Sequence, residues 1–291
     1  MRARKGAKQI SEILRDFSAS TLATAIEANV NGQFPLLFVH LPQIEIHDEP
    51  GILWVASNIP HHYLNGVLRA QFAPEEIEAR VNETLTRFKS RRLPVRWRVG
   101  PSTRPADLGK HLTAHGLTYA GDTIGMAVDL LALSEDLPPP PSLRIEHVGD
   151  EDTLRRWVHA VAVSFEHPES VANALLEIHA RAGLGQRLPW RLYLGLLGGQ
   201  PVAASRLFLA AGVAGISHVA TIPEARRQGI GSAMTLVPLR EARGMGYRIA
   251  VLHAAPGGLG VYRRLGFREY CKFHEYLWLG DRGDVERTDS G

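Results

Sequence analysis

The sequence predicts two α/β units in tandem, each a mixed sheet flanked by helices, and three observations lead there. The chain has 291 residues, 45% apolar and 22% charged. That is a globular composition, at a length that suits two domains with cores of their own. Strand-like and helix-like periodicities alternate along the chain, and the second half repeats the order of the first. Four prolines, Pro138 to Pro141, fall near the midpoint. Having no amides to donate, they favour extended chain and read as a stiff connector. The predicted organisation is one domain over 1–135, a linker at 136–142, a second domain over 143–280 and a charged, frayed tail at 281–291.

Composition also excludes. A single cysteine, Cys271, forms no disulfide within the chain and no thiolate zinc cluster, and it fits a reducing compartment. The formal charge of +3, from 33 Lys plus Arg against 30 Asp plus Glu, is too small to argue for nucleic acid but suits an anionic small molecule. Arg2, Arg4, Lys5 and Lys8 are followed by no apolar signal core and read as a solvated tail. No stretch approaches the roughly 18 apolar residues of a membrane span. The expectation is a cytoplasmic protein with no membrane partner.

In the first half, Ile10, Ile13, Leu14 and Phe17 recur at helical spacing and predict an opening helix. Strand-like runs follow at Pro35–Leu41, Gly51–Ser57 and Tyr63–Phe72. Pro74 suits a first helical residue, Glu75 and Glu76 suit the first turn, and Ile77, Val81, Leu85 and Phe88 form one apolar stripe. A strand at Val95–Val99, a helix around Leu108–His115, and strands near Leu117–Tyr119 and Ile124–Leu130 complete the half.

In the second half, a strand at Arg144–His147 leads to a helix striped by Leu154, Trp157, Val158, Val161 and Phe165. A second helix starts near Pro168 and carries Val171, Leu175 and Ile178. Strand-like runs at Arg191–Leu197, Val202–Leu209 and Val213–Ile222 precede a helix over 229–243, in which Pro238 predicts a kink. A strand at Tyr247–His253, a short helix ending at Leu265 and a closing pair of strands over Phe267–Leu279 finish the half. Pro105–Leu130 overlays Pro256–Leu279 with an offset of about 150, a sign of internal duplication.

The chemistry concentrates in Val219–Met234, VATIPEARRQGIGSAM. A strand ends near Thr221, Pro223 breaks it, and Arg226-Arg227-Gln228-Gly229-Ile230-Gly231 opens a helix. The glycines let a ligand approach the backbone, and the unpaired amides of a first helical turn are anion donors, so a pyrophosphate is expected there. The run lacks the Lys of a Walker A loop and the third glycine and early position of a dinucleotide fingerprint.

The spacing R-x-x-G-x-G instead resembles the acyl-coenzyme A loop of the GCN5-related N-acetyltransferases, the GNAT family. The context agrees: a fourth strand precedes it, and a helix, a fifth strand and Tyr262-Arg263-Arg264-Leu265-Gly266-Phe267 follow at the expected distance. The resemblance covers about residues 143–279. It implies tandem GNAT-like domains with a mostly antiparallel central sheet flanked by helices. By the same resemblance, Val219, Ala220 and Thr221 pair with the pantetheine arm and polarise the thioester. Arg227, Gln228, Gly229, Ile230, Gly231 and Ser232 cradle the pyrophosphate, and Tyr262 is the general acid toward the departing thiolate.

This chain also departs from the pattern. Ala255 stands where relatives often place an Asn, which removes one cofactor hydrogen bond. Between Phe72 and Pro74 the first half has no glycine, Glu75 and Glu76 occupy the place of a pyrophosphate, and Leu112 takes the place of Tyr262. The first half therefore reads as a degenerate domain that supports or shapes the acceptor site.

An alkyl ammonium of pKa near 10 must lose a proton before attack. The candidate bases are His218, Glu166 and His167, with relay through water as the alternative. Cys271 has no evident base beside it and is not expected to carry the acyl group. The histidines, His61 and His62 among them, show no metal-ligand spacing, so no metal is expected. The expectation is therefore transfer of an acetyl or other acyl group from acetyl-CoA to a primary amine, on a small molecule or peptide, by direct attack in a ternary complex. Two rivals are a non-catalytic acyl-CoA sensor and an aminoacyl-tRNA-dependent transferase. The acceptor and the oligomeric state stay open, a homo-oligomer being possible.

Overall fold

The strand Ile52–Ala56 is buried at all five positions, as a strand covered on both faces must be. It belongs to one sheet that runs through the whole molecule. The computed structural model of the protein describes residues 12–41, 43–136, 138 and 140–280. Among them, eleven strands take numbers in chain order: β1 (Glu45–Glu49), β2 (Ile52–Ala56), β3 (Gly66–Ala70), β4 (Val95–Val99), β5 (Thr118–Asp129), β6 (Leu143–His147), β7 (Trp190–Leu197), β8 (Gln200–Ala210), β9 (Val213–Thr221), β10 (Ile249–Ala254) and β11 (Arg268–Trp278). Their spatial order is β1-β2-β3-β4-β11-β5-β10-β9-β8-β7-β6.

The sheet is mixed and mostly antiparallel, in agreement with the predicted class. Only β3–β4 and β9–β10 run parallel. Each parallel pair is joined by a crossover helix, α2 (Ile77–Ser90) and α6 (Ile230–Gly244). The pattern thus repeats in the two halves, with one exchange. β11, the last strand among the described residues, pairs with β4 and β5, and β5 pairs with β10. Each half closes its sheet with the other half's final strand.

The remaining helices are α1 (Ala19–Phe38), α3 (Leu108–Ala114), α4 (Glu151–Ser164), α5 (Glu169–Ala182) and α7 (Leu259–Arg264). Side-chain alternation along β7 separates two layers. Leu192, Leu194 and Leu196 pack with residues of α4 and α5, while Tyr193 packs with residues of α6. Helix α1 lies across the centre, against β5, β8, β9, β10 and β11. It carries polar residues into this contact, and Glu27, Asn29 and Gln33 are all buried. Asn29 donates to the carbonyls of Phe208 and Ala210, each at 3.2 Å. These contacts tie α1 to the end of β8, where Phe208 and Ala210 pair with Gly215 and Val213 of β9.

Several expectations are corrected. Ile13, Leu14 and Phe17 are not helical, since α1 starts at Ala19, and Ile10 lies outside the described residues. The Asp16 carboxylate accepts from the Ser18 amide and the Thr21 hydroxyl, which sets the helix start there. The Leu14 amide donates instead to the Gly212 carbonyl in the β8–β9 turn. The expected strand at Pro35–Leu41 is the end of α1, because a short, buried apolar run carries no period that distinguishes helix from strand. In the segment over 63–72 only 66–70 is strand; Asn65 closes the preceding turn by donating to the carbonyls of Ile59 and His61. Two expected strand pairs are each one long strand, β5 and β11. Polar β1 was not anticipated.

Pro238 does not break α6, which continues to Gly244. Lacking an amide, Pro238 leaves the carbonyl of Met234, four residues earlier, without its helical donor. The buried Ser205 hydroxyl on β8 supplies one at 2.8 Å.

Candidate functional site

The site begins with a fault in the β8–β9 ladder. Ala204 faces Ala220 and Arg206 faces Ser217, so His218 and Val219 together oppose the single residue Ser205. This is a bulge with one extra residue, and His218 absorbs it with φ 53°, a left-handed backbone costly for a side chain other than glycine. The Trp157 indole N–H from α4 donates to the Ser205 carbonyl at 3.1 Å, satisfying a group that the bulge takes out of register.

Past the bulge the sheet splits. The last β9–β10 pair is Ile216 with Leu252, and His253 and Ala254 then pair only with β5. The edge of 217–221 that faces β10 is therefore free of a strand partner. This wedge opens toward the segment leading into α6.

That segment has the geometry of an anion cradle. After a 3-10 turn at Pro223–Ala225, Arg227 (φ 65°) and Gly229 (φ 81°) take left-handed conformations, and α6 follows from Ile230. Among the described residues, no group accepts a hydrogen bond from the amides of Arg227, Gln228, Gly229, Ile230, Gly231 or Ser232. A Cβ at Gly231 would meet nothing within 4 Å. Six amides without acceptors at the positive end of a helix, with open space beside Gly231, fit a pyrophosphate. The side chains of Ile230 and Ser232 are buried, so these residues offer backbone only. Arg226, the arginine that opens the R-x-x-G-x-G spacing, pins the segment: its guanidinium donates to the carbonyls of Thr221, at 3.1 Å, and Ser164, at 3.2 Å.

Tyr262 lies on α7, with its ring against Gly258 and edge-to-face with Phe267 at 5.9 Å. Burial pushes its phenol up to about 12, which keeps the hydroxyl protonated as a donor. Burial, with help from Glu27, also pushes the Cys271 thiol up to about 12, so little thiolate forms near neutral pH.

His218 connects the halves. Its Nε2 lies 2.5 Å from the hydroxyl of Tyr63, in the turn before β3, and its ring is 5.6 Å from Trp157. Tyr63 also touches His167, with ring centroids 4.5 Å apart, and His61 stacks on His62. Burial first, then the Arg206 charge, holds His218 well below the ordinary imidazole value. Burial also lowers His62 to about 3 and His167 to about 4. All three imidazoles are therefore neutral at physiological pH. Glu166, the other candidate base, is exposed at a left-handed turn (φ 54°) after α4, while the adjacent His167 turns inward. Sequence reasoning set His61 and His62 aside as showing no ligand spacing and passed over Tyr63, because nothing local marks a turn as covering a bulge 155 residues away.

The comparisons bear on the same stretch. Residues 210–270 match the family model of the acetyltransferase (GNAT) domain. This stretch is similar to a GNAT acetyltransferase domain. The matched segment holds the bulge, the wedge, the turn with the unpartnered amides and Tyr262, so the family pattern coincides with the candidate site.

Solved structures extend the likeness to the whole chain. A GCN5-related N-acetyltransferase from Kribbella flavida aligns with a TM-score of 0.64 and 19% identity, over 90% of this chain and 96% of that one. One from Sphaerobacter thermophilus gives 0.54 and 17%, over 94% and 96%. A tandem GNAT protein from the clavulanic acid biosynthesis pathway gives 0.57 and 12%, over 89% and 94%. At these identities the likeness is one of fold. No curated protein matches the sequence. Among the described residues, no helix is long and apolar enough to cross a membrane.

Proposed function

We propose that the protein transfers an acetyl group from acetyl-CoA to a primary amine by direct attack in a ternary complex. The observation that carries this reading is the set of six free amides over 227–232, placed beside the free edge of β9. When bound, acetyl-CoA supplies the activated acyl group as a thioester.

The chain's own residues bind, orient and move protons. Amides 227–232 hold the diphosphate, and the edge over Val219–Thr221 hydrogen-bonds the pantetheine arm and polarises the acyl carbonyl. The Tyr262 hydroxyl donates to the departing sulfur. With a phenol near 12 and a thiol near 8.5, full proton transfer is uphill by roughly 5 kcal/mol, so a hydrogen bond retained throughout is the role that fits. His218 is neutral but too weakly basic to take a proton from a free ammonium; it accepts only the far more acidic proton of an amine already bonded to the acyl carbon. The acceptor therefore enters as the neutral amine, and water carries off the first proton.

Calorimetry with acetyl-CoA, followed by free-thiol release with a panel of primary amines, tests the reading. Micromolar binding and amine-dependent thiol release are expected. Binding without release from any amine points to a sensor, and absence of binding removes the reading altogether.

A further inference from the structure

Around the Tyr63–His218 contact lies an excess of buried positive charge. Arg206 on β8 is 5% exposed, and its guanidinium donates only to neutral acceptors, the Ser217 hydroxyl at 3.1 Å and the Gln33 side-chain carbonyl. It has no ion-pair partner among the described residues. Arg98 on β4 pairs with Glu275 at 2.9 Å, yet its Nη1 is buried without a partner. Arg96, beside it, is held below its usual value by burial. Of the titratable groups nearby, the imidazoles of His61, His62, His167, His179 and His218 are held below their ordinary value by burial. Glu275 is taken up by Arg98, and Glu27, within electrostatic reach of Arg98, accepts from the Ser102 amide.

A buried guanidinium without an anion is costly, because desolvation is not repaid by an opposite charge. Two small cavities adjoin these charges, with Phe34, Phe38 and Tyr63 in the walls of both. One is bounded by Arg96, Arg98 and His62, the other by Arg206, Gln33, His179 and His218. Each has a volume of about 20 Å³, room for roughly one water-sized group. A carboxylate, with three heavy atoms, exceeds that space, so seating one requires the aromatic walls of Phe34, Phe38 and Tyr63 to move aside. The Arg206 cavity is lined by the same His218 that occupies the β9 bulge, so an anion seated there lies one side chain from the free strand edge.

Resting on the acetyltransferase reading, we propose that the acceptor is an amino-carboxylate, its carboxylate bound by Arg206 and its amine directed past His218 to the wedge between β9 and β10. The same positive field disfavours an ammonium and so favours entry of the neutral amine that attack requires. Planar Arg, with donors still free beyond those bound to Ser217 and Gln33, is the side chain suited to a carboxylate.

Matched pairs test this on the unmodified protein. Thiol release from acetyl-CoA is measured with the twenty amino acids, β-alanine and 4-aminobutyrate, each against its carboxamide. At least one acid is expected to exceed its amide in kcat/KM by tenfold or more. Arg206→Gln abolishes that preference while leaving acetyl-CoA binding by calorimetry intact, and Arg206→Lys keeps it in part. Independently of turnover, the preferred acid raises the melting temperature of the free protein and not that of Arg206→Gln.

Equal use of acids and amides, with acetyl-CoA bound and turned over, overturns the proposal and leaves the acetyltransferase reading standing. A preference for succinyl-CoA over acetyl-CoA that depends on Arg206 also overturns it, since the carboxylate would then belong to the acyl group. If acetyl-CoA gives no heat, the acetyltransferase reading falls, and melting shifts with the acids alone decide whether Arg206 binds a carboxylate.

Discussion

The Tyr63 hydroxyl and the His218 Nε2 lie 2.5 Å apart although the two residues are 155 positions apart in the chain. They come from opposite halves, and the contact puts a first-half side chain directly on the bulge of β9. In the proposed transfer the acceptor side of the site is therefore composite. Tyr63→Phe is expected to lower kcat/KM for the amine about tenfold, the scale of one lost hydrogen bond to a reacting region. The dissociation constant for acetyl-CoA should stay within twofold. Steady-state kinetics beside calorimetry checks both, and an equal loss in both quantities would place Tyr63 elsewhere.

Gly231→Ala adds a methyl group into open space at a first-turn helical position, so stability should hold or rise by up to about 1 kcal/mol. In the same variant acetyl-CoA affinity should fall at least tenfold, about 1.4 kcal/mol, because the added methyl occupies the cradle. Thermal melts and titration calorimetry on one preparation separate the two effects. Unchanged affinity would place the diphosphate somewhere else.

Tyr262→Phe should reduce kcat roughly 10- to 100-fold, the low end of general-acid effects, with acetyl-CoA binding retained. As the folded phenol titrates only near 12, the wild type should show no alkaline loss of kcat from this group between pH 8 and 10. A kcat that halves near pH 9 in the wild type but not in Tyr262→Phe would contradict the assignment.

The histidine cluster sets a pH dependence of stability. His62, His167, His179 and His218 all have folded pKa values below the unfolded 6.5, with His62 and His179 at about 3 and His167 at about 4. The unfolded chain therefore takes up protons first as pH falls. Their stabilisation is complete above about pH 6.5 and is lost progressively toward pH 4. The limiting slope is about 1.4 kcal/mol per pH unit for a fully buried histidine such as His179, and less for the partly exposed His62 and His167. Denaturant midpoints between pH 7.5 and 4.5 should drop accordingly and drop less in His179→Gln; a flat profile would refute this.

Ser205→Ala removes the hydroxyl that serves the Met234 carbonyl and should cost about 1–2 kcal/mol. Adding Pro238→Ala restores an amide in the helix, so the double variant should recover a good part of that loss. A double-mutant cycle reports the coupling, and strict additivity would show that the two residues do not share this carbonyl.

The exchanged strands predict that the second half is not an independent unit. Expressed alone, residues 138–280 would hold β11 without β4 or β5, the two strands it pairs with, leaving edges prone to association. Aggregation of that fragment and its rescue by co-expression with residues 1–136 are expected in size-exclusion chromatography. A monomeric fragment with a cooperative melt would show the exchange to be dispensable.

Local chemistry wrote much of this protein legibly into its sequence. The stripe of α2, the strand Val95–Val99 and the proline–glycine punctuation before α6 depend on residues within one turn or one strand, so spacing alone revealed them. The turn into α6 was visible for the same reason, since a left-handed glycine and a helix start are properties of a few adjacent residues. What stayed hidden depends on distant partners: the reach of α1 through Pro35, the repair of the Pro238 gap by Ser205, the exchange of β5 and β11, and the meeting of Tyr63, Arg206 and His218. A side chain's burial and its partner are settled by which strands lie side by side. That order is a property of the assembled sheet and of no single segment, so the tertiary structure alone decided it.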